Sequence, residues 1–216
     1  MKYIILIASL LTLQSFAHTG MLVGDSQSVG PFGRKLHSLL AKSYNMSSFA
    51  SCGSIAKWWT GDVRTKTTCG YWQKKLNESS VDLKTSPTPS LNGLLADIKP
   101  SFVVMEFAGN YRNQSEAFIR KDIQKMIDQV LQSGAKCFFV TGPDTRKERE
   151  QLLKILPVIQ NQVGSQCGFF LSTKVTRYPE TGGDGFHYSF AAGKAIAEKW
   201  AIEVHKALEE YLIKSL

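Results

Sequence analysis

The chain has 216 residues, 43% of them hydrophobic and 20% charged, with a formal net charge of +8. That length carries one domain with a sizeable core, and that composition excludes a disordered, collagen-like or membrane-embedded chain. A basic surplus suits anionic surroundings, but the lysines are spread along the chain and no nucleic-acid motif is present, so nucleic acid is not an expected partner.

Met1-Lys2 is followed by an apolar run to Leu13, and Ser15-Phe16-Ala17 has small residues where a signal peptidase reads. Residues 1–17 therefore read as a cleaved secretory signal, too short and too early for a membrane anchor. No later stretch is long and apolar enough to span a bilayer, so no integral membrane association is expected. The remaining 18–216 read as a single domain, secreted or periplasmic. Its four cysteines, Cys52, Cys69, Cys137 and Cys167, fit disulfides in an oxidising compartment, and no Cys-x-x-Cys or Cys/His cluster suggests zinc.

Thr19 to Val23 reads as a first strand that stops at Gly24 and delivers Asp25 and Ser26 to a turn. A helix follows over Phe32 to Lys42, with Pro31 near its first turn and Leu36, Leu39 and Leu40 on one face. Tyr44 to Ala50 reads as a second strand. Ser51 to Ser90 shows little periodicity, and a loop that long in a compact domain is expected to be functional. Leu91 to Ile98 reads as a short helix. Ser101 to Phe107 is an apolar run of the kind found in a strand buried on both faces. Ser115 to Leu131 is an amphipathic helix closed by Gly134. Lys136 to Val140 is a fourth strand, Lys147 to Val163 a helix interrupted near Pro157, and Cys167 to Leu171 a fifth strand. A glycine-rich loop from Thr181 to His187 leads to a last helix over Ser189 to Lys214.

Strands alternating with helices imply βαβ units, hence an α/β, three-layer αβα sandwich. Five strands with right-handed crossovers suit a flavodoxin-like parallel sheet of order 2-1-3-4-5. Strands four and five are neighbours in that order, which favours Cys137–Cys167 and leaves Cys52–Cys69 to staple the long loop.

A strand ending in Gly-Asp-Ser places one hydroxyl at the edge where open α/β folds bind ligands. Ser26 is accordingly a candidate nucleophile, which needs a base, an acceptor to orient that base and donors for an oxyanion. Asp184-Gly-Phe-His187 offers orienter and base on one tight loop beside the fifth strand. The other histidines have plainer readings: His18 lies at the mature N-terminus, and His37 and His205 lie on helix positions that read as solvated. Gly53 after strand two and Asn110 after strand three are candidate oxyanion donors beside the Ser26 backbone.

These residues resemble the SGNH (GDSL-type) hydrolase family. Gly24-Asp25-Ser26 matches its first block, Gly53 the glycine of the second, Asn110 the asparagine of the third, and Asp184 and His187 the Asp-x-x-His of the last. Two departures stand out: Gln27 follows the serine where leucine is common, and Tyr111 follows Asn110 where the family has Asp. The second glycine of the Gly-x-Ser-x-Gly elbow is missing, which disfavours the α/β-hydrolase fold, and no phosphate-binding or dinucleotide fingerprint occurs. The resemblance implies the SGNH hydrolase fold and a serine esterase that needs no metal; no cofactor is expected, and the chain is expected to act as a monomer. In it Ser26 attacks an acyl carbonyl, His187 acts as base and then acid, Asp184 holds the imidazole, and Ser26, Gly53 and Asn110 bind the oxyanion.

Such a fold hosts many esters. Trp58, Trp59, Tyr71 and Trp72 in the long loop could stack on sugar rings, form a small core beneath the loop or grip an acyl chain. Lys57, Lys66, Lys74, Lys75 and Arg64 give the same loop a polar, basic character. With Tyr111 and Arg112 beside Asn110, and Trp58 and Trp59 in the loop, substrate binding is expected to favour an acylated glycan. Removal of small O-acyl groups, acetyl above all, from a polysaccharide or cell-wall glycan is the expected reaction. The competing expectations are a lysophospholipase or arylesterase, an O-acetyltransferase with the same triad, and an inactive glycan-binding module.

Overall fold

The computed structural model describes residues 18–61 and 65–214. The expected signal at 1–17 and Arg64 lie outside the described residues. Along the chain run β1 (Thr19–Gly24), α1 (Ser26–Val29), α2 (Pro31–Leu40), β2 (Asn45–Ser51), α3 (Ala56–Trp59), β3 (Lys66–Thr67), β4 (Tyr71–Lys74), β5 (Val81–Leu83) and β6 (Ser86–Pro87). The second half continues with α4 (Leu91–Ile98), β7 (Phe102–Glu106), α5 (Glu116–Gln132), β8 (Lys136–Val140), α6 (Arg149–Val163), β9 (Gly168–Phe170) and α7 (Ala191–Lys214).

β2, β1, β7, β8 and β9 lie side by side and parallel, which is the expected order 2-1-3-4-5. The sheet does not stop at five strands. β4 pairs antiparallel with β2, and β5 with β4, so the sheet has seven strands, and β3 pairs with β6 in a separate ribbon. The stretch 51–90 is thus largely structured. Its strands have two to four residues each, too few for an alternation to register in the sequence.

Successive side chains of a strand point to opposite faces, and β1 and β7 show it. Met21, Val23, Val103 and Met105 enter the core beneath α3 to α6, while Leu22, Phe102 and Val104 enter the core beneath α2 and α7. Both faces are covered, so β1 and β7 are buried along almost their whole length and read as continuous apolar runs. Phe32 of α2 stacks on Trp200 of α7 and closes the second layer.

Three local expectations are corrected. α6 runs unbroken through Pro157; that residue is exposed, as is Leu153, whose carbonyl it leaves without a helical donor. His37 is buried, not solvated: its Nδ1 meets Ser48 Oγ at 2.8 Å, and burial lowers its pKa. His205 is only partly exposed, facing Glu209 one turn along α7.

Both disulfides pair as expected, Cys52–Cys69 with Cα atoms 5.6 Å apart and Cys137–Cys167 with Cα atoms 4.8 Å apart. No helix among the described residues is long and apolar enough to cross a membrane. Cys137–Cys167 spans 30 residues and ties β8 to the start of β9 at the end of the sheet away from Ser26. Replacing both cysteines with alanine should lower the unfolding free energy in urea by about 3 kcal/mol, chiefly by freeing the unfolded chain. A loss below about 0.5 kcal/mol would mean the bridge adds nothing to the sheet it closes.

Candidate active site

β1 ends at Gly24 and the chain turns at once into α1. Asp25 caps that helix, its Oδ1 accepting the Gln27 N–H at 2.9 Å. The turn is tight enough to need glycine: a Cβ on Gly24 would lie 2.2 Å from Ser28 Oγ and 3.2 Å from Glu106 Oε2. Ser26 follows, at the C-terminal edge of the parallel strands.

The structure brings the three residues singled out for acid–base chemistry together. Ser26 Oγ is 3.0 Å from His187 Nε2, and His187 Nδ1 is 2.6 Å from Asp184 Oδ2. The carboxylate accepts the Nδ1 proton, which leaves Nε2 as acceptor for the serine hydroxyl. Asp184 Oδ1 also accepts the N–H groups of Phe186 and His187, each at 2.8 Å. Partial burial opposes ionisation of Asp184, but the His187 imidazole and these N–H bonds outweigh it and hold the carboxyl down at about 2. It is therefore ionised at any working pH.

The segment carrying Asp184 and His187 is held from three sides. Tyr178 Oη accepts the Gly185 N–H at 3.0 Å and donates to the His187 carbonyl at 3.1 Å. The Gly185 carbonyl accepts from the Arg146 N–H at 2.9 Å. Gln27 Nε2 donates to the Phe186 carbonyl at 2.9 Å, which links the histidine loop to the turn that carries Ser26.

Asn110 sits in the turn after β7. Its Nδ2 donates to the Ser54 carbonyl at 3.0 Å and, more weakly, to Asp25 Oδ2 at 3.3 Å. Gly53 has φ +81°, a conformation glycine adopts without strain, and its N–H has no acceptor among the described residues.

Tyr111 and Trp59 do not line the cleft. Tyr111 is fully buried and turned away, its Oη donating to Asp122 Oδ2 at 2.7 Å and accepting the Ala56 N–H at 2.9 Å. The residue that departs from the SGNH pattern is thus a clamp between the Asn110 turn, α3 and α5. Trp59 is also fully buried, and its Nε1 donates to Ser54 Oγ at 3.1 Å, beside the Gly24 carbonyl. Tyr71 and Trp72 are buried too, so of the four loop aromatics only Trp58, next to Gly53, stays partly exposed. Arg112 does face the cleft. Its guanidinium lies 4.4 Å over the Phe186 ring, and its Nε donates to Glu148 at 2.8 Å.

Two hollows flank Ser26 and His187. One, of about 80 Å³, is enclosed by Asn110, Arg112, Gly142, Pro143, Thr145 and Phe186. The other, of about 400 Å³, runs over Val29, Gly30, Pro31 and the Cys52–Cys69 bridge. A third, of about 450 Å³, shares Gly30 and Pro31 with the second and is bordered by Arg34, Lys35, Lys194 and Glu198.

Gln27, noted in the sequence only as a departure, links the two loops, and Ser54, Glu106 and Tyr178 take part in the site but are not singled out by the sequence. Glu106 alone carries a signal there, as the one charge in an otherwise apolar run.

No protein-family model matches the chain, and no curated protein matches it in sequence. Solved structures do match in fold. TesA is 18% identical, with a TM-score of 0.57 over 88% of this chain and 99% of that one. A family 3 carbohydrate esterase from Clostridium thermocellum is 17% identical, with a TM-score of 0.55 over 88% of this chain and 98% of the other. A GDSL-like lipase from Bacteroides thetaiotaomicron is 11% identical, with a TM-score of 0.55 over 88% and 89%. The structural neighbours are SGNH/GDSL-type esterases and lipases, distant in sequence, and the α/β fold with its mainly parallel sheet is theirs.

Tyr178→Phe removes one donor and one acceptor from the histidine loop and leaves the Gly185 N–H without its partner. It should cost about 1–2 kcal/mol of stability and speed amide exchange at Gly185. Unchanged exchange there would show that the loop does not depend on Tyr178.

Proposed function

We propose that the protein is a serine ester hydrolase that removes small O-acyl groups from a polysaccharide outside the cytoplasm. The relay of Ser26 Oγ, His187 and Asp184, at 3.0 and 2.6 Å, is the observation that carries this reading. Ser26 Oγ attacks the acyl carbonyl while its proton passes to His187 Nε2. The negative oxygen is received by the N–H groups of Ser26 and Gly53 and by Asn110 Nδ2, which gives up its 3.3 Å contact with Asp25 for it. Collapse expels the alcohol, which takes the proton back from Nε2, and a water then attacks the acyl-enzyme by the same route. Each oxyanion donor is worth ~10²–10³ in turnover.

The unequal hollows support a short acyl group and a bulky alcohol. The 80 Å³ hollow beneath the Arg112–Phe186 stack receives the acyl group, and the hollows of about 400 and 450 Å³ receive the alcohol side. A carbohydrate esterase among the structural neighbours agrees with a glycan. Along the far hollow Arg34 pairs with Asp82 and Lys194 with Glu198, which leaves Lys35 as the surplus charge, and this together with the net charge of +8 favours an acidic glycan. Two disulfides and the leader-like residues 1–17 support export, with 18–216 acting as one monomeric domain.

Acetate release from an O-acetylated acidic polysaccharide should exceed fatty-acid release from a lysolipid, and Ser26→Ala should lower it by ~10⁴-fold or more while leaving the thermal transition near wild type. Fatty-acid release without acetate release would overturn the glycan reading, and retained turnover in Ser26→Ala would remove the serine from its role. Added salt should weaken turnover of the acidic polymer and leave that of a small neutral acetyl ester unchanged, because screening acts on the basic rim and not on the relay. Equal salt dependence for both substrates would contradict the acidic-glycan assignment.

A further inference from the structure

Two carboxyl groups lie buried beneath the Ser26 turn, and the proposed reaction uses neither as acid, base or nucleophile. Asp25 is 2% exposed and Glu106 is 0% exposed. They are joined through backbone as well, the Asp25 N–H donating to the Glu106 carbonyl at 3.3 Å. Asp25 is well supplied with donors, from the Gln27 N–H to Oδ1 and from Asn110 Nδ2 to Oδ2. Glu106 is not. Its Oε2 accepts from Ser28 Oγ at 2.9 Å, while its Oε1 is buried with no hydrogen-bond partner among the described residues.

A carboxylate oxygen can only accept, and burying one without a donor is costly. The same oxygen in a carboxylic acid is itself a donor. The acceptor at hand is the adjacent Asp25 carboxylate, buried beside Glu106 and tied to it through the Asp25 N–H. We propose that Glu106 is a neutral carboxylic acid that donates its proton to the Asp25 carboxylate, and that this single-charge pair positions Asn110 and the Ser26 turn.

Burial, with the adjacent Asp25 charge, pushes Glu106 well above the usual carboxylate range. Burial also raises Asp25, though only to about 6, because the Gln27 N–H, the Glu106 side chain, His187 and Arg112 all favour its charged form. With two donors on the Asp25 oxygens and none on Glu106 Oε1, the shared proton sits on Glu106 and the negative charge on Asp25. The titratable and charged groups that bear on the pair are His187, Arg112 and Tyr111.

The arrangement has a use. An ionised Asp25 accepts the Gln27 N–H and Asn110 Nδ2 more strongly than a neutral one would. A second negative charge beside it would lie under the place where the oxyanion forms and oppose it. Glu106 acts through Asp25 and Asn110 and touches no substrate, so it is a positioning residue.

The sign of its pH effect follows. A group whose folded-state pKa is raised by burial binds more protons folded than unfolded, so its contribution is full at low pH and is lost as pH rises from the ordinary glutamate range to the folded value. Glu106→Gln keeps both bonds, its amide N–H donating to Asp25 and its amide oxygen accepting from Ser28, and cannot ionise. Glu106→Leu keeps the volume and neither bond.

The test measures the three proteins by infrared spectroscopy, by melting temperature against pH, and by turnover of a small acetyl ester. Wild type should show the carbonyl band of a buried protonated carboxylic acid, and Glu106→Gln should lack it. The melting temperature of Glu106→Gln should gain on wild type steadily as pH rises. Glu106→Gln should keep turnover near wild type, while Glu106→Leu should lose ~10²-fold in kcat with KM little changed. Absence of the band, parallel melting profiles, or a Glu106→Gln loss as large as that of Glu106→Leu would each overturn the proposal. The turnover arm rests on the esterase reading, but the spectroscopic and melting arms do not. If wild type hydrolyses nothing they still decide, and if Glu106→Leu does not fold the Gln comparison is sufficient.

Discussion

Ser28 Oγ and the Glu106 carboxyl occupy the space where a side chain on Gly24 would stand, and the rest of the site depends on that close approach. It brings the end of β1 down onto the end of β7, so that Asp25 and Asn110 meet. Asn110 then reaches across to the Ser54 carbonyl, and the second strand's loop is drawn to the same point. A polar cluster buried under the Ser26 turn is an unusual thing for a fold to keep, since most of a strand's buried length is apolar. Its members are paired, and the one atom left over is the one a proton would satisfy.

The histidine loop is a separate unit brought to this point from the far end of the chain. Asp184 accepts from two backbone N–H groups, and Tyr178 accepts from Gly185 and donates to the His187 carbonyl, which gives the loop a shape that does not depend on Ser26. Gln27 joins the two halves. That accounts for glutamine after the serine: its amide spans the gap to the Phe186 carbonyl, which leucine has no atoms to do. Tyr111 is explained in the same terms. It replaces the family's carboxylate with a buried phenol that holds α3, α5 and the Asn110 turn at one atom.

Much of this was legible in the sequence because it rests on local or periodic signals. Continuous apolar runs marked the strands buried on both faces, and their alternation with helices gave the order that the parallel strands adopt. Ser26, Asp184 and His187 stood at loop positions framed by glycine, where a polar side chain has no packing reason to be. What escaped was set by tertiary contact. Strands of two to four residues have no period to read, which hid β3 to β6. A single aromatic in a loop or turn carries no sign of the face it turns to, so Trp59 and Tyr111 looked like cleft residues and are core. His37 looked solvated on its helix, but β2 supplies Ser48 opposite it. Ser54 and Glu106 matter through partners tens of residues away, and Tyr178 through a loop seven to nine residues on, whose path no periodicity foretells.

The claim on which the account turns is that Ser26 is a nucleophile activated by His187, and covalent capture tests it without any assumption about the substrate. The intact protein should react with a fluorophosphonate to give one adduct per chain, mapped by mass spectrometry of peptides to Ser26, and His187→Ala should slow that reaction by ~10³-fold or more while staying folded. A folded wild-type protein that takes up no label at Ser26, or that labels there as fast without His187 as with it, would contradict the account.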